Sequence, residues 1–338
     1  MTAERPPLPL VMTMGEPAGV GGELALMAWA ARQDTTVAPF VVIDDPARLG
    51  WLAGQLGMAV PVRPVDSPEQ AVAVFDQALP VLPLALPAAV VPGQPDPANG
   101  PAVIAAIDRA VDLVRSRRAA GMVTNPIQKS SLYAAGFRHP GHTEYLAHLA
   151  GMSDEPVMML ATADLRVVPV TIHVSLRDAL DQLTTAAIVH CGRVTAAALT
   201  RDFGIQSPRL AVAALNPHAG ENGAMGREEI DIIAPAVAAL RDAGIDAFGP
   251  RPADTLFHAA ARSRYDAVLC MYHDQALIPL KTVDFDTGVN VTLGLPFIRT
   301  SPDHGTATDI AGTGRANPSS LMAALRMAAA MAARRYAL

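Results

Sequence analysis

Three histidines stand in the same position relative to three predicted β-strands, and their side chains could bind a divalent metal ion. His173, His218 and His273 each follow shortly after an apolar, β-branched run. Neutral imidazoles on rigid strand ends suit a divalent cation and leave coordination positions for a substrate. A single histidine is more often a core or surface residue, so spacing alone leaves both interpretations open. Asp274, directly after His273, is either a partner that fixes an imidazole tautomer or a turn residue.

Polar clusters follow five of the predicted strands. The clusters are residues 15–19, 125–126, 173, 216–218 and 272–274. Ligands of open α/β sheets bind outside the carboxyl ends of the strands. We therefore expect the five clusters to converge on one cleft.

The elements that must position these residues alternate along the chain between short strands and longer helices rich in alanine and leucine. This alternation is typical of an α/β protein with a largely parallel sheet and helices on both faces. The strand candidates are residues 8–14, 38–43, 119–124, 166–172, 209–215 and 266–271, and the helix candidates are 101–118, 228–243 and 318–335. Asn317 and Pro318 form a helix start signal, and Gly244 a helix stop signal. The proline-rich segment 80–101 predicts a surface connection.

Composition narrows the class of protein. A chain of 338 residues favours two lobes over one core, and a net charge of −6 without a long basic run gives no support for binding nucleic acid or an anionic membrane. Cys191 and Cys270 form neither a disulfide framework nor a metal motif. Residues 1–7 lack the order of a signal peptide, and the apolar stretch 79–91 contains three prolines and is too short to span a bilayer. We expect a cytoplasmic protein.

A glycine-rich segment, residues 15–22, connects the first strand to a helix. Such a loop brings backbone close to a ligand, and the helix N-terminus that follows favours anions. The segment is neither G-x-G-x-x-G nor a Walker loop, and a tight strand-to-helix turn explains it equally well.

Residues 304–318, HGTATDIAGTGRANP, are far more specific. This run resembles the adenosine-binding loop of isocitrate and isopropylmalate dehydrogenases. The resemblance implies a nicotinamide cofactor, NAD or NADP, with its contacts at His304, Gly305, Ala307, Asp309 and Asn317. Asp309 can accept hydrogen bonds from ribose hydroxyls, which favours NAD over NADP.

Five further motifs resemble the 4-hydroxythreonine-4-phosphate dehydrogenase family. They are residues 14–21, 141–144, 215–221, 271–275 and 288–301, and the likeness runs from about residue 10 to about residue 331. It implies the two-lobed fold of isocitrate and isopropylmalate dehydrogenases. One lobe, residues 1–130 with 300–338, would lie on the cofactor side, and residues 131–299 would carry substrate, metal and the dimer contact. The resemblance also implies a homodimer with active sites at the interface, where one metal-binding histidine comes from the neighbouring chain.

The same resemblance assigns roles to individual residues. The implied metal ligands are His173, His218 and His273, for zinc, cobalt or magnesium. The implied substrate-binding residues are His142, Thr143, Lys281, Asn290 and Arg299, with Lys129 as an added positive charge. We take Lys281 and Asp274 as catalytic candidates for proton transfer and for orienting the metal site.

Each of these roles has a plainer alternative. Lys281 could be a solvated lysine, Arg299 a partner in a surface ion pair, and Thr143 a helix cap. The sequence also departs from the family pattern at Gly22, where a proline is usual, and in residues 124–129, which puts the shape of those loops in doubt.

The expected reaction is oxidation of 4-phosphohydroxy-L-threonine to a β-keto acid that decarboxylates to 3-amino-2-oxopropyl phosphate, in pyridoxal phosphate biosynthesis. Related scaffolds that oxidise phosphorylated threonate or aromatic cis-dihydrodiols are the alternatives within the enzyme class, and a phosphate acyltransferase is a more distant one. A metal- or nucleotide-binding protein without catalysis is the alternative from another class.

Overall fold

The computed structural model of the chain describes residues 8–35 and 37–336, so residues 1–7, which we expect not to be a signal peptide, lie outside the described residues. The strands, in chain order, are β1 (Leu10–Thr13), β2 (Phe40–Asp44), β3 (Val62–Pro64), β4 (Leu79–Pro83), β5 (Met122–Thr124), β6 (Val157–Ala161), β7 (Arg166–Pro169), β8 (Arg209–Ala213), β9 (Asp246–Arg251), β10 (Ala267–Cys270), β11 (Val289–Leu293) and β12 (Arg299–Pro302). The α-helices are α1 (Gly21–Ala30), α2 (Arg32–Thr35), α3 (Pro46–Gln55), α4 (Pro68–Val74), α5 (Gly100–Arg115), α6 (Lys129–Ala134), α7 (His142–Ala150), α8 (Leu176–Gln182), α9 (Thr185–Phe203), α10 (Ala234–Asp242), α11 (Ala259–Arg262), α12 (His273–Val283) and α13 (Ser319–Arg335). The α/β class predicted from the alternating pattern is confirmed.

The contacts divide the chain into two compact units. The first unit comprises the described residues up to Glu155 and from Leu295 onward, and the second is Pro156–Gly294. The first boundary lies later in the chain than the expected residue 130, because α6 and α7 pack against α5 and place Leu132 and Leu146 in the same apolar core as Ile107.

The first unit contains a parallel sheet of six strands in the order β3-β4-β2-β1-β5-β12. Its core forms where Val11 of β1 and Ile43 of β2 meet the apolar face of α5, and all of these side chains are buried. Because every strand runs the same way, the loops that follow β1, β5 and β12 leave the sheet at one edge. These loops carry the glycine-rich segment, Asn125 and the segment that begins at Asp303.

The second unit contains the strands β11-β6-β7-β10-β8-β9. The pairs among β7, β10, β8 and β9 are parallel, whereas β6 pairs antiparallel with both β11 and β7. Its core includes Val167, Val268 and Ala211 from the three central parallel strands. The carboxyl ends of β7, β10 and β8 therefore meet at one edge.

The predicted start signal of α13 and the predicted stop signal of α10 are both confirmed. The side chain of Asn317 accepts a hydrogen bond from the Ser319 N–H at 3.0 Å, and Gly244 follows α10 with a φ of +78°. The helix expected over 228–243 instead begins as a π-helical turn, Glu229–Ile233, before α10. Pro235 has no N–H to continue the regular hydrogen-bond ladder, which favours the wider turn.

The proline-rich segment forms a surface connection only after its first residues. Leu79–Pro83 is β4, and its first four residues are buried between β3 and β2. The strand is held by bonds that need no proline N–H, such as Leu79 N–H to Pro61 O at 2.8 Å and Leu84 N–H to Asp44 O at 2.9 Å. Within residues 8–35 and 37–336, no helix is both long enough and apolar enough to cross a bilayer.

Candidate active site

The three histidines follow the carboxyl ends of three neighbouring parallel strands of the second unit. His173 comes after β7, His273 begins α12 directly after β10, and His218 lies in the turn after β8. The ends of β7 and β10 are joined because the Thr171 hydroxyl donates to the Met271 carbonyl at 2.8 Å. The imidazole rings of His173 and His273 are consequently 5.7 Å apart, centroid to centroid.

A cavity of about 320 Å³ opens at this edge, and its lining includes His173, Ser175, Tyr272 and His273. Asp274 also lines it, and its carboxylate lies 2.7 Å from Nδ1 of His273. A carboxylate at Nδ1 fixes the imidazole tautomer and leaves Nε2 as the ligating atom. The two imidazoles of His173 and His273 beside an open cavity are donors that zinc or cobalt favours.

His218 does not complete a three-ligand site with these two within one chain. Among residues 8–35 and 37–336, no group of three or more histidine, cysteine, aspartate or glutamate side chains is arranged to hold a metal ion. The sharing of ligands between two chains, which the family resemblance implies, stays a prediction.

Gln275 connects the ends of β10 and β8. The sequence did not predict this role. Its side chain is 8 % exposed, its Oε1 accepts from the Met271 N–H at 2.7 Å, and its Nε2 donates to the Ala214 carbonyl at 2.7 Å. It thus links the end of β10 to the end of β8. A glutamine in the first turn of a helix gives no signal in the sequence that it performs this role.

Lys281 and Asn290 lie elsewhere in the second unit. Lys281 is seven residues after Asp274 on α12, which places it on the same helix face about 10 Å further along the axis. Its ammonium lies 5.6 Å from the ring of Phe285, an exposed side chain. Asn290 is in β11, and its Oδ1 is buried without a hydrogen-bond partner.

Arg299 and His142 both lie in the first unit, close enough for the charge of Arg299 to act on the imidazole. Arg299 is 4 % exposed, and its Nε and Nη2 donate to the Thr124 hydroxyl at 3.1 and 2.7 Å. Burial lowers the pKa of Arg299 to about 10, although Glu144 opposes the shift. Burial, followed by the charge of Arg299, lowers the pKa of His142 to about 3, so this imidazole is neutral near pH 7. Its Nε2 is buried and has no hydrogen-bond partner.

The same region presents the N-terminus of α7. The helix begins at His142 with Gly141 as its N-cap and has no side-chain cap, so Thr143 does not serve as the cap considered from the sequence. Lys129 reaches this end, because its Nζ lies 3.9 Å from the position that a Cβ on Gly141 would take. A helix N-terminus with a lysine and a buried arginine is suited to bind an anion.

The segment from His304 to Asn317 forms an ordered loop against the first unit. The Val20 N–H donates to the Thr306 carbonyl at 3.0 Å, and the Gly312 N–H donates to the carboxylate of buried Glu23 at 2.8 Å. Burial lowers the pKa of His304, and its Nε2 is buried without a partner. Asp309, by contrast, is exposed. Gly305, Ala307 and Asn317 lie on the same loop, and Ala307 has a φ of +44°.

Contacts within the protein account for the glycine-rich segment. A Cβ on Gly15 would lie 2.6 Å from the Pro126 carbonyl oxygen, and a Cβ on Gly19 would lie 2.7 Å from that of Thr306. At Gly22, where the family pattern has proline, an added Cβ would lie 2.9 Å from Nη2 of Arg48. The guanidinium of Arg48 is held there by Asp44 at 2.6 Å and by the Pro17 carbonyl at 3.0 Å. At the position where the family pattern has proline, this chain therefore has a glycine next to the buried ion pair of Arg48 and Asp44.

The chain is similar to known proteins over nearly its whole length. Residues 36–328 match the family described as pyridoxal phosphate biosynthetic protein PdxA. The chain is 56% identical to 4-hydroxythreonine-4-phosphate dehydrogenase of Bradyrhizobium diazoefficiens, over 96% of this chain and 97% of that protein.

Two solved structures are also similar. The crystal structure of 4-hydroxythreonine-4-phosphate dehydrogenase from Klebsiella pneumoniae has a TM-score of 0.87 and 39% identity, with 98% of this chain and 99% of that chain covered. That of a terephthalate 1,2-cis-dihydrodiol dehydrogenase from Burkholderia xenovorans has a TM-score of 0.65 and 31% identity, with 96% and 98% covered. On the match over most of its length, the chain belongs to the pyridoxal phosphate biosynthetic protein PdxA family.

Proposed function

We propose that this protein oxidises 4-hydroxythreonine 4-phosphate with NAD or NADP, and that the β-keto acid so formed loses carbon dioxide to give 3-amino-2-oxopropyl phosphate, a precursor of pyridoxal phosphate. One observation carries the proposal beyond the names of the relatives. His142 Nε2, Asn290 Oδ1 and His304 Nε2 are all buried without a protein partner. Other buried polar atoms also lack a partner, such as the hydroxyls of Thr162 and Thr195, but these three stand at positions implied to bind substrate or cofactor, and that coincidence supports ligand sites.

The substrate phosphate binds in the first unit. Arg299 supplies a planar fork of donors, and the neutral His142 can donate one N–H to a phosphate oxygen. Thr143 and Lys129 add a hydroxyl and a positive charge at the start of α7. The depressed pKa of Arg299 supports this role, because an anion would offset the burial of the guanidinium.

A divalent ion, zinc, cobalt or magnesium, would be held by His173, His218 and His273. When bound, it supplies Lewis-acid chemistry that acidifies the substrate hydroxyl and favours the loss of carbon dioxide. Asp274 keeps Nε2 of His273 directed to that site through its bond to Nδ1. Asn290 binds the substrate through its unpaired Oδ1.

The cofactor lies on the loop from His304 to Asn317. Asp309 is exposed and can accept from the ribose hydroxyls, which favours NAD, and His304 offers its unpaired Nε2. When bound, the nicotinamide would supply the hydride-accepting chemistry that the oxidation needs. Lys281 would have to be deprotonated at Nζ to take the hydroxyl proton, and it would give that proton to the substrate carbon after carbon dioxide leaves.

A second copy of the chain completes the site. Exposed apolar side chains cluster on the elements that carry or adjoin the histidines, with Leu176 on α8 66 % exposed, Ile278 on α12 64 % and Phe285 75 %. A homodimer would cover them and allow one metal-binding histidine to come from the partner. A cytoplasmic location is consistent with the free cysteines Cys191 and Cys270.

The test is NADH or NADPH formation from 4-hydroxythreonine 4-phosphate, followed by absorbance, in wild type with and without a chelator and in His218→Ala. We expect activity to be lost with the chelator, restored by added cobalt or zinc, and lost in the variant. His148→Ala, which changes an exposed histidine outside the site, is the control and should stay within about twofold of wild type.

Phosphorylated threonate and an aromatic cis-dihydrodiol are the competing substrates in the same assay. Faster turnover of either one would refute the proposed substrate. Full activity in His218→Ala or in the presence of the chelator would refute the metal-dependent reaction.

A further inference from the structure

His218 lies in a turn of unusual backbone conformation. Five consecutive residues, from His218 to Asn222, have φ values of 53°, 54°, 76°, 43° and 55°. Only one of them, Gly220, is a glycine, and left-handed backbone is unfavourable for the others because Cβ crowds the carbonyl oxygen. Such a turn persists only where its surroundings hold it.

Glu229 holds the start of this turn, and Glu228 assists it by accepting from Nδ2 of Asn216 at 2.6 Å. Its side chain is 3 % exposed, and its Oε1 accepts from the N–H groups of Leu215 and Asn216 at 2.8 and 2.7 Å. Its Oε2 accepts from Nδ2 of Asn216 at 2.9 Å. One buried carboxylate thus bonds to three donors in the two residues that lead from β8 into the turn.

The turn also packs directly against this carboxylate. A Cβ on Gly220 would lie 2.5 Å from Oε2 of Glu229, so only glycine fits there. The Met225 N–H closes the turn onto the Gly220 carbonyl at 3.1 Å. Glu229 itself lies at the start of the π-helical turn before α10, a type of irregularity that is frequent at functional sites.

We propose that Glu229 is a positioning residue for metal binding: it locks the left-handed turn so that the imidazole of His218 is presented as a ligand. This inference rests on the proposed metal-dependent function. Glu229 acts through Asn216 and the turn and does not itself bind the metal. Groups that orient metal ligands change metal affinity by about 10- to 100-fold when they are altered.

The experiment measures metal affinity directly, without turnover. The full-length protein is freed of metal and titrated with Co²⁺, whose visible absorption reports the number and type of its ligands. In Glu229→Gln the side chain keeps its size, but an NH₂ group replaces one carboxylate oxygen. That NH₂ group cannot accept a hydrogen bond from the donor that faces it. We expect its dissociation constant for Co²⁺ to rise about 10- to 100-fold.

Two further variants separate positioning from charge and from general stability. Glu221→Gln removes an exposed carboxylate from the same turn and should change Co²⁺ affinity by less than about twofold. Gly220→Ala leaves Glu229 intact but forces its carboxylate away from the turn, and should weaken Co²⁺ binding as Glu229→Gln does. If Glu229→Gln does not fold, as judged by circular dichroism, the result for Gly220→Ala decides the proposal.

The outcomes are distinguishable. If Glu229→Gln lowers the melting temperature but keeps the wild-type Co²⁺ affinity and spectrum, the role is only structural and the inference is overturned. Equal weakening in Glu221→Gln would assign the effect to charge and would also overturn it. If wild type binds no Co²⁺, or His218→Ala binds it as wild type does, the proposed metal site fails as well.

Discussion

Replacing Arg299 by methionine should weaken substrate binding strongly while changing the stability of the protein little. The guanidinium is buried, its pKa is lowered from 12.5 to about 10, and two of its side-chain hydrogen bonds go to the hydroxyl of Thr124. A buried arginine that binds an anionic ligand destabilises the ligand-free protein, whereas an arginine that serves only the fold does not.

The magnitude follows from the pKa. A shift from 12.5 to about 10 corresponds to a penalty of about 3 kcal/mol for the charged form in the fold. Methionine removes this penalty but leaves the Thr124 hydroxyl without its donors, which costs about 1–3 kcal/mol. Because these two opposing contributions are of similar size, the free energy of unfolding of Arg299→Met should lie within about 2 kcal/mol of that of wild type. If Arg299 makes the proposed contact, losing two charge-assisted hydrogen bonds to the phosphate should raise KM by about 100-fold or more.

The assay pairs thermal unfolding with steady-state kinetics. Inorganic phosphate should raise the melting temperature of wild type and leave that of Arg299→Met unchanged. Arg118→Met, which breaks an exposed ion pair with Glu69, is the control and should keep the wild-type KM. If Arg299→Met is destabilised by more than about 2 kcal/mol while KM is unchanged, Arg299 is a structural residue and the reasoning is wrong.

Two further predictions concern the same sites. His142 has a pKa of about 3 in the fold against 6.5 in the unfolded chain, so its contribution to stability is complete above about pH 6.5 and is lost as pH falls toward 3. Melting temperatures measured over this range should fall less steeply for His142→Asn than for wild type, and equal slopes would contradict the assignment. In Gln275→Leu, the Met271 N–H and the Ala214 carbonyl lose their partners at about 1–3 kcal/mol each, so the melting temperature should drop by several degrees. Gln182→Leu on the exposed part of α8 is its control, and the same melting temperature in both variants would show that Gln275 does not link the strand ends.

Much of the site was predictable because strand ends are visible in the sequence. Short β-branched runs followed by polar residues located β1, β5, β7, β8 and β10, and the three histidines do follow parallel strands. The loop from His304 was predictable from its specific pattern. In contrast, β4 was hidden by its prolines, since strand propensity does not show which N–H groups a sheet requires.

The residues that hold the site in shape were not predictable. Glu229, Gln275 and Thr124 act through contacts with chain segments 13, 61 and 175 residues away, and nothing in their local sequence distinguishes them from surface residues. Their roles depend on burial, which only the folded chain defines. The boundary of the first unit was placed too early for the same reason, because the packing of α6 and α7 onto α5 is a tertiary contact.

The sequence by itself determined the α/β class, the family and the chemical types of the site residues, because periodicity and short motifs are local properties of the chain. Tertiary structure decided which of those residues lie together, which polar atoms are buried without partners, and how far the pKa values of His142 and Arg299 are displaced. Hydrogen bonding, desolvation and left-handed backbone strain all depend on neighbours that are distant in sequence, so they arise only when the strands are aligned and packed.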